Sequence, residues 1–149
     1  RIQGEAKEMG VKFASIAGTF LANLEEEKRK TIQYLLFGGE TTVKLSSLRG
    51  RGGRNQELAM SFALSTKDTE AIYFLSLGTD GIDGNSSAAG AIVGPFTISD
   101  KDKEKEAEKT LAENNTNFFF KKYGGELITG YTGTNLMDVG VICIVLDKD

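Results

Sequence analysis

The stretch Gly50-Arg51-Gly52-Gly53-Arg54-Asn55-Gln56-Glu57 concentrates the groups best suited to holding an anion. Three glycines and two arginines fall within its first five positions. Glycine lets a backbone approach a ligand closely and accepts positive φ. Guanidinium groups add fixed charge and forked donors that match phosphate or carboxylate. Leu58, Ala59, Phe62 and Ala63 form a helical stripe directly behind, with Asn55 as the expected N-cap. Unpaired N–H groups and the dipole at such a helix start suit a negative ligand, with Gly52, Gly53 and Asn55 offering backbone donors. The chemistry is that of an oxyanion or phosphoryl site. A plainer alternative is a loop with solvated arginines leading into a capped helix.

Four further segments carry polar groups at element ends. Glu40 and Thr41 follow Gly38-Gly39 after the short apolar strand expected over 32–37, with 42–45 extended again. The glycine pair predicts a tight bend or a close backbone approach. Asp80 and Asp83, in Gly78-Thr79-Asp80-Gly81-Ile82-Asp83-Gly84, could meet Mg²⁺ or a substrate hydroxyl; a pair of Asx turns is the plainer reading. Thr129-Gly130-Tyr131-Thr132-Gly133-Thr134-Asn135 has the ingredients of a backbone-donor loop but no Gly-Lys-Ser/Thr. Asn114-Asn115-Thr116-Asn117 either caps a short helix or places amides in a cleft. There is no histidine, which removes Ser-His-Asp triads and the usual zinc sites. Cys143, the lone cysteine, lies in an apolar run and reads as an inert buried thiol.

These groups need a scaffold, and 149 residues suffice for one domain with a sizeable core. Hydrophobic content of 40% and charged content of 26% fit a globular protein. Met9, Phe13, Ile16, Ala17, Phe20, Leu21 and Leu24 repeat as one face of a long helix. The charged run 25–30 should carry its solvated end and a loop. Residues 71–77 read as a central strand buried on both faces, 88–93 as helix or strand, and 101–112 as a helix capped by Ser99 or Asp100. Residues 139–146 read as a closing strand. The expected fold is α/β: a layered, mostly parallel or mixed sheet with flanking helices, in a single domain. Its expected parts are an N-terminal amphipathic helix and lead-in strand over 1–37 and an α/β unit over 38–149. A net charge of −3 gives no indication of nucleic-acid or anionic-membrane binding. No apolar run reaches membrane-span length, so the expected setting is cytoplasmic, with a mitochondrial one left open. The chain opens at Arg1, not Met, and reads as a piece of a longer protein.

Five segments in one order carry a resemblance. They are Gly38-Gly39-Glu40-Thr41-Thr42-Val43, Gly50 to Leu58, Gly78 to Gly84, Ala88-Ala89-Gly90-Ala91 and Thr132-Gly133-Thr134-Asn135. Together they resemble the MOFRL domain, the C-terminal domain of class II glycerate kinases, some of which are labelled hydroxypyruvate reductases. Gly4-Glu5-Ala6-Lys7-Glu8 resembles the helix preceding that domain.

The resemblance implies a two-domain kinase that transfers the γ-phosphoryl of ATP to a hydroxyl of D-glycerate with Mg²⁺. The active site would lie between this chain and an N-terminal nucleotide-binding domain of the same polypeptide, and a homodimer is a further expectation. This chain alone should be inactive and hold no cofactor tightly. Arg54 would be the catalytic arginine, supported by Arg51. Gly52, Gly53 and Asn55 would supply donors; Glu40, Thr134 and Asn135 would line the cleft. Asp80 would meet metal or hydroxyl, and Asp83 the metal or its own loop. Two departures each remove a carboxylate and bear on metal binding: Ser87 precedes Ala-Ala-Gly-Ala, and Asn114-Asn115-Thr116 replaces Asn-Asp-Ser. Two other readings compete: a non-catalytic domain for small-anion binding or assembly, and an oxidoreductase. The latter finds no Gly-x-Gly-x-x-Gly after a strand here.

Overall fold

A computed structural model describes residues 2–24, 32–46 and 50–146. The charged run at 25–30 therefore lies outside the described residues. The elements, in chain order, are β1 (Ile2–Glu5), α1 (Ala6–Ala22), β2 (Gln33–Thr42), α2 (Arg54–Thr66), β3 (Ile72–Gly78) and β4 (Gly90–Val93). After these come α3 (Lys101–Ala112), α4 (Thr116–Tyr123), β5 (Glu126–Leu127) and β6 (Asp138–Ile144). Strands assemble into one six-stranded sheet in the order β1-β2-β6-β3-β4-β5. The α/β class and mixed sheet agree with expectation. The parallel share is the single pair β1–β2; β6 runs antiparallel to both β2 and β3.

The core lies between the sheet and the helices. Met9, Phe13 and Ala17 on α1, and Leu58, Phe62 and Ala63 on α2, are buried. Phe13 stacks on Phe37 of β2 at 4.2 Å, and Phe62 on Phe74 of β3 at 4.5 Å. Burial alternates along β3 and β6, with Ile72, Phe74, Ser76, Ile142 and Ile144 toward the helices. The expectation that 71–77 is buried on both faces is thus corrected: its other side chains are half-buried on a face without helices. Asp100 caps α3, accepting from the N–H groups of Asp102 and Lys103 at 3.0 and 2.9 Å.

Gly38-Gly39 does not bend the chain. One strand continues through it, so the boundary expected between 37 and 38 falls inside β2. Gly39 has φ +150°, and a side chain there would strike the Ile2 backbone of β1. Only glycine admits so close a neighbour. β1 itself is short and Gly-containing, and its pairing with β2 comes from residues nearly forty positions away.

Register gathers the polar segments. Gly39, Asp138 and Gly78 align across β2, β6 and β3. The carboxyl ends of β2 and β3 therefore meet the start of β6 at one end of the sheet. Glu40, Thr79 and Asp80 follow directly, and α2 begins beside them.

Candidate functional site

A cleft of roughly 880 Å³ opens at this end, with Glu40, Thr41, Gly50, Gly52, Gly53, Arg54, Glu57, Asn85 and Asn114 among its walls. Arg54 is the first residue of α2 and is 29% exposed at its side chain. Its Nε and Nη2 donate to the two carboxylate oxygens of Asp138 at 2.6 and 2.8 Å. Asp138 is buried, 3% exposed. Glu40 Oε1 lies 3.4 Å from Arg54 Nη2 and is itself exposed. The hydrogen bond with Asp138 raises the guanidinium's pKa above its ordinary value, against an opposing effect of burial. Arg54 is thus a permanent cation held by a bidentate pair. Its Nη1 has no hydrogen-bond partner among the described residues.

What holds Arg54 is therefore a carboxylate on β6, not the glycine loop. That loop is a structural joint. Gly53, not Asn55, is the N-cap of α2. The first-turn donors expected to face an anion are occupied by Asp83: its Oδ1 accepts from Asn55 N at 2.9 Å, and its Oδ2 from Gln56 N at 2.9 Å. The side-chain amides of Asn55 and Gln56 donate to the same carboxylate at 3.3 and 2.9 Å. Asp83 is 1% exposed, and burial raises its pKa, against four hydrogen bonds that lower it. Gly53 is required because a Cβ there would lie about 2.4 Å from Asp83. Gly52 N donates to Asn85 Oδ1 and Arg51 N to Asn115 Oδ1, each at 3.0 Å. Those two backbone donors, with Asn55 N, are engaged inside the fold.

The motif residues after Arg54 also turn inward. Asn55 accepts from Ser76 Oγ at 2.6 Å. Gln56 donates to Ser86 and accepts from Asn117, at 2.9 and 3.0 Å. Glu57 accepts from Asn114 Nδ2 at 2.6 Å, and its other oxygen lies 3.8 Å from Lys7 Nζ. Burial raises the Glu57 pKa, against the Asn114 bond and the Lys7 charge. Of these four motif residues, Arg54 alone is presented to the cleft by an unengaged donor. The polar cluster at 114–117 does both things expected of it: Asn115 is the N-cap of α4 and Asn114 lines the cleft.

The other expected residues separate. Arg51 is exposed and is not among the cleft walls, so the two arginines do not form a pair there. Asp80 Oδ1 accepts from Ile82 N at 3.1 Å, an Asx turn. Thr134 and Asn135 are exposed on a loop outside that cleft. This loop is tied to the end of β3: Thr79 Oγ1 donates to Met137 O at 2.7 Å and accepts from Leu136 N at 2.7 Å. Among the described residues, no group of three His, Cys, Asp or Glu side chains could hold a metal ion. Asp83 has its oxygens engaged at the start of α2, which it caps. Ser87, where a carboxylate was expected, is exposed. Asp138 escaped the sequence reading because its partner is 84 positions away; the only local sign was one acid opening an apolar run. No helix among the described residues is long and apolar enough to cross a membrane.

Comparison with known proteins places these features. The model of the MOFRL family matches residues 33–138. A glycerate 2-kinase of Pyrococcus horikoshii is 40% identical over 150 residues, covering 99% of this chain and 33% of that protein. A D-glycerate 2-kinase of Thermotoga maritima is 40% identical over 136 residues, covering 87% of this chain and 32% of that protein. The crystal structure of a glycerate kinase from Thermotoga maritima superposes with a TM-score of 0.85 at 39% identity, over 97% of this chain and 34% of that one. The chain spans about a third of the length of the curated relatives it matches. With its family match spanning β2 to the start of β6, the chain belongs to the MOFRL family.

Proposed function

We propose that this chain is the C-terminal domain of an ATP-dependent glycerate 2-kinase, and that it presents Arg54 to the anionic substrate. The observation that carries the reading is the state of that guanidinium. Asp138 fixes two of its nitrogens, and the third points to no described partner on the wall of a cleft large enough for a small acid. Relatives named glycerate 2-kinases supply the reaction class.

Phosphoryl transfer breaks the bond between the γ-phosphorus and the leaving oxygen of ADP. It forms a bond to a glycerate oxygen, whose hydroxyl proton departs. Charge spreads over the equatorial oxygens of the migrating group, and a pre-positioned cation stabilises it without reorganising. Arg54 serves that group or the glycerate carboxylate. Glu40, on the rim, holds Nη2 until the anion arrives. Arg51 is the second cation of the site only in the assembled protein. Thr134, Asn135 and Asp80 meet substrate or the nucleotide-binding domain from the loop beyond β3, with Asp80 orienting a hydroxyl. ATP and Mg²⁺ belong to the remainder of the polypeptide. The described residues form neither a metal centre nor a free phosphate cradle, so no step of this reading places ATP or Mg²⁺ on them.

The full-length protein should form ADP from ATP only when D-glycerate is present, and this chain alone should form none. Full-length protein that folds but shows no glycerate-dependent ADP would refute the reading in favour of an anion-binding domain.

A further inference from the structure

The sheet face turned away from the helices is apolar and, among the described residues, bare. Register builds it. Tyr34, Cys143 and Tyr73 lie in one row across β2, β6 and β3. Leu36, Val141, Leu75 and Ile92 lie in the next, which extends to β4. Tyr34 and Leu36 are 59% and 74% exposed. Phe96, just beyond β4, is also exposed, with its ring 6.5 Å from that of Tyr73. No charged residue interrupts these rows. An antiparallel sheet that leaves one face to water normally alternates apolar with polar residues. Here both rows are apolar across three neighbouring strands.

We propose that this face docks the rest of the polypeptide, a domain of the same chain, and not a second copy. Relatives that match nearly the whole chain are about three times its length, so a covering segment of ample size exists in them. Patch size points the same way. Strands about 4.8 Å apart with outward residues about 6.7 Å apart give these two rows a projected area of only about 225 Å². A stable complex of separate molecules buries about 800 Å² per partner. Interfaces between domains of one chain begin at about 600 Å² in total, because the linker supplies effective concentration. The outward series on β2 runs on to Glu40, beside Arg54. A domain seated here therefore reaches the mouth of the cleft. The inference does not depend on the reaction proposed above.

Cys143 sits inside the patch, half-buried in this chain, and reports on its covering. In full-length protein, alkylation of Cys143 by iodoacetamide, followed by peptide mass spectrometry, should be at least about 10-fold slower than for the same cysteine after unfolding. That protection should not change on dilution of a species with monomer mass. Leu36→Asp should speed labelling several-fold without loss of helical signal. Unprotected Cys143, protection that disappears on dilution as a dimer dissociates, or a folded Leu36→Asp protein with unchanged protection would each overturn the proposal. Unprotected Cys143 in the wild-type protein overturns the proposal even where the variant fails to fold.

Discussion

Arg54 at the start of α2 and Asp138 at the start of β6 meet through two charge-assisted hydrogen bonds, 2.6 and 2.8 Å long. The contact fixes the helix start against the sheet end and sets the direction of the one guanidinium nitrogen left unengaged. Asp138 is not itself among the cleft walls, so it acts on the cleft through Arg54. In the full-length protein, Asp138→Asn should lower kcat by about 10- to 100-fold, the scale of misplacing a catalytic group by an ångström. Asp138→Glu keeps the charge on a longer arm and should recover part of the loss. Steady-state kinetics checks this; a change confined to thermal stability, with kcat intact, would make the pair structural only.

Glu40 competes for the same guanidinium. It is exposed and 3.4 Å from Nη2, so its attraction is that of a surface pair, up to about 1 kcal/mol. Glu40→Gln should therefore lower KM for the anionic substrate, by up to about 5-fold. Titrating glycerate against the variant tests this. A raised KM would mean that Glu40 binds substrate directly.

Asp83 is the keystone of the loop that precedes α2. Its removal in Asp83→Ala strands the buried N–H groups of Asn55 and Gln56 along with their amides. The expected cost is about 3 kcal/mol or more. Chemical denaturation should show that loss, and a drop under about 1 kcal/mol would contradict the capping role.

Glu57 predicts a pH dependence of stability. Burial raises its pKa in the folded chain above the unfolded value. Its contribution is therefore fully present below the unfolded pKa and is lost as pH rises through the folded one. Glu57→Gln keeps an acceptor for Asn114 and removes the ionisation. Denaturant melts should show the variant gaining on the wild type from acid to neutral pH. Parallel pH curves would show that Glu57 does not titrate in that window.

The sequence made Arg54 conspicuous but misassigned its support. Period and composition mark α1, α2, α3, β3 and β6, because burial of one face writes itself locally. The mixed sheet was legible to that extent. The partners of Asp138, Asn114 and Lys7 were not, because each lies 50 or more positions away. The glycines misled for a related reason. Gly53 read as ligand-facing, yet it admits Asp83; at Gly39 the expected close backbone approach is made by Ile2, a neighbour no local pattern reveals. Ligand approach and chain approach ask the same thing of a glycine, so only the fold distinguishes them.

Glycerate-dependent ADP formation by full-length Arg54→Ala, compared with wild type, tests the central claim most directly. Loss of a transition-state charge contact predicts a fall in kcat of about 10²-fold or more, with the cleft and sheet intact by circular dichroism. A wild-type rate from the folded variant would contradict it and leave Arg54 as an anchor for Asp138 alone.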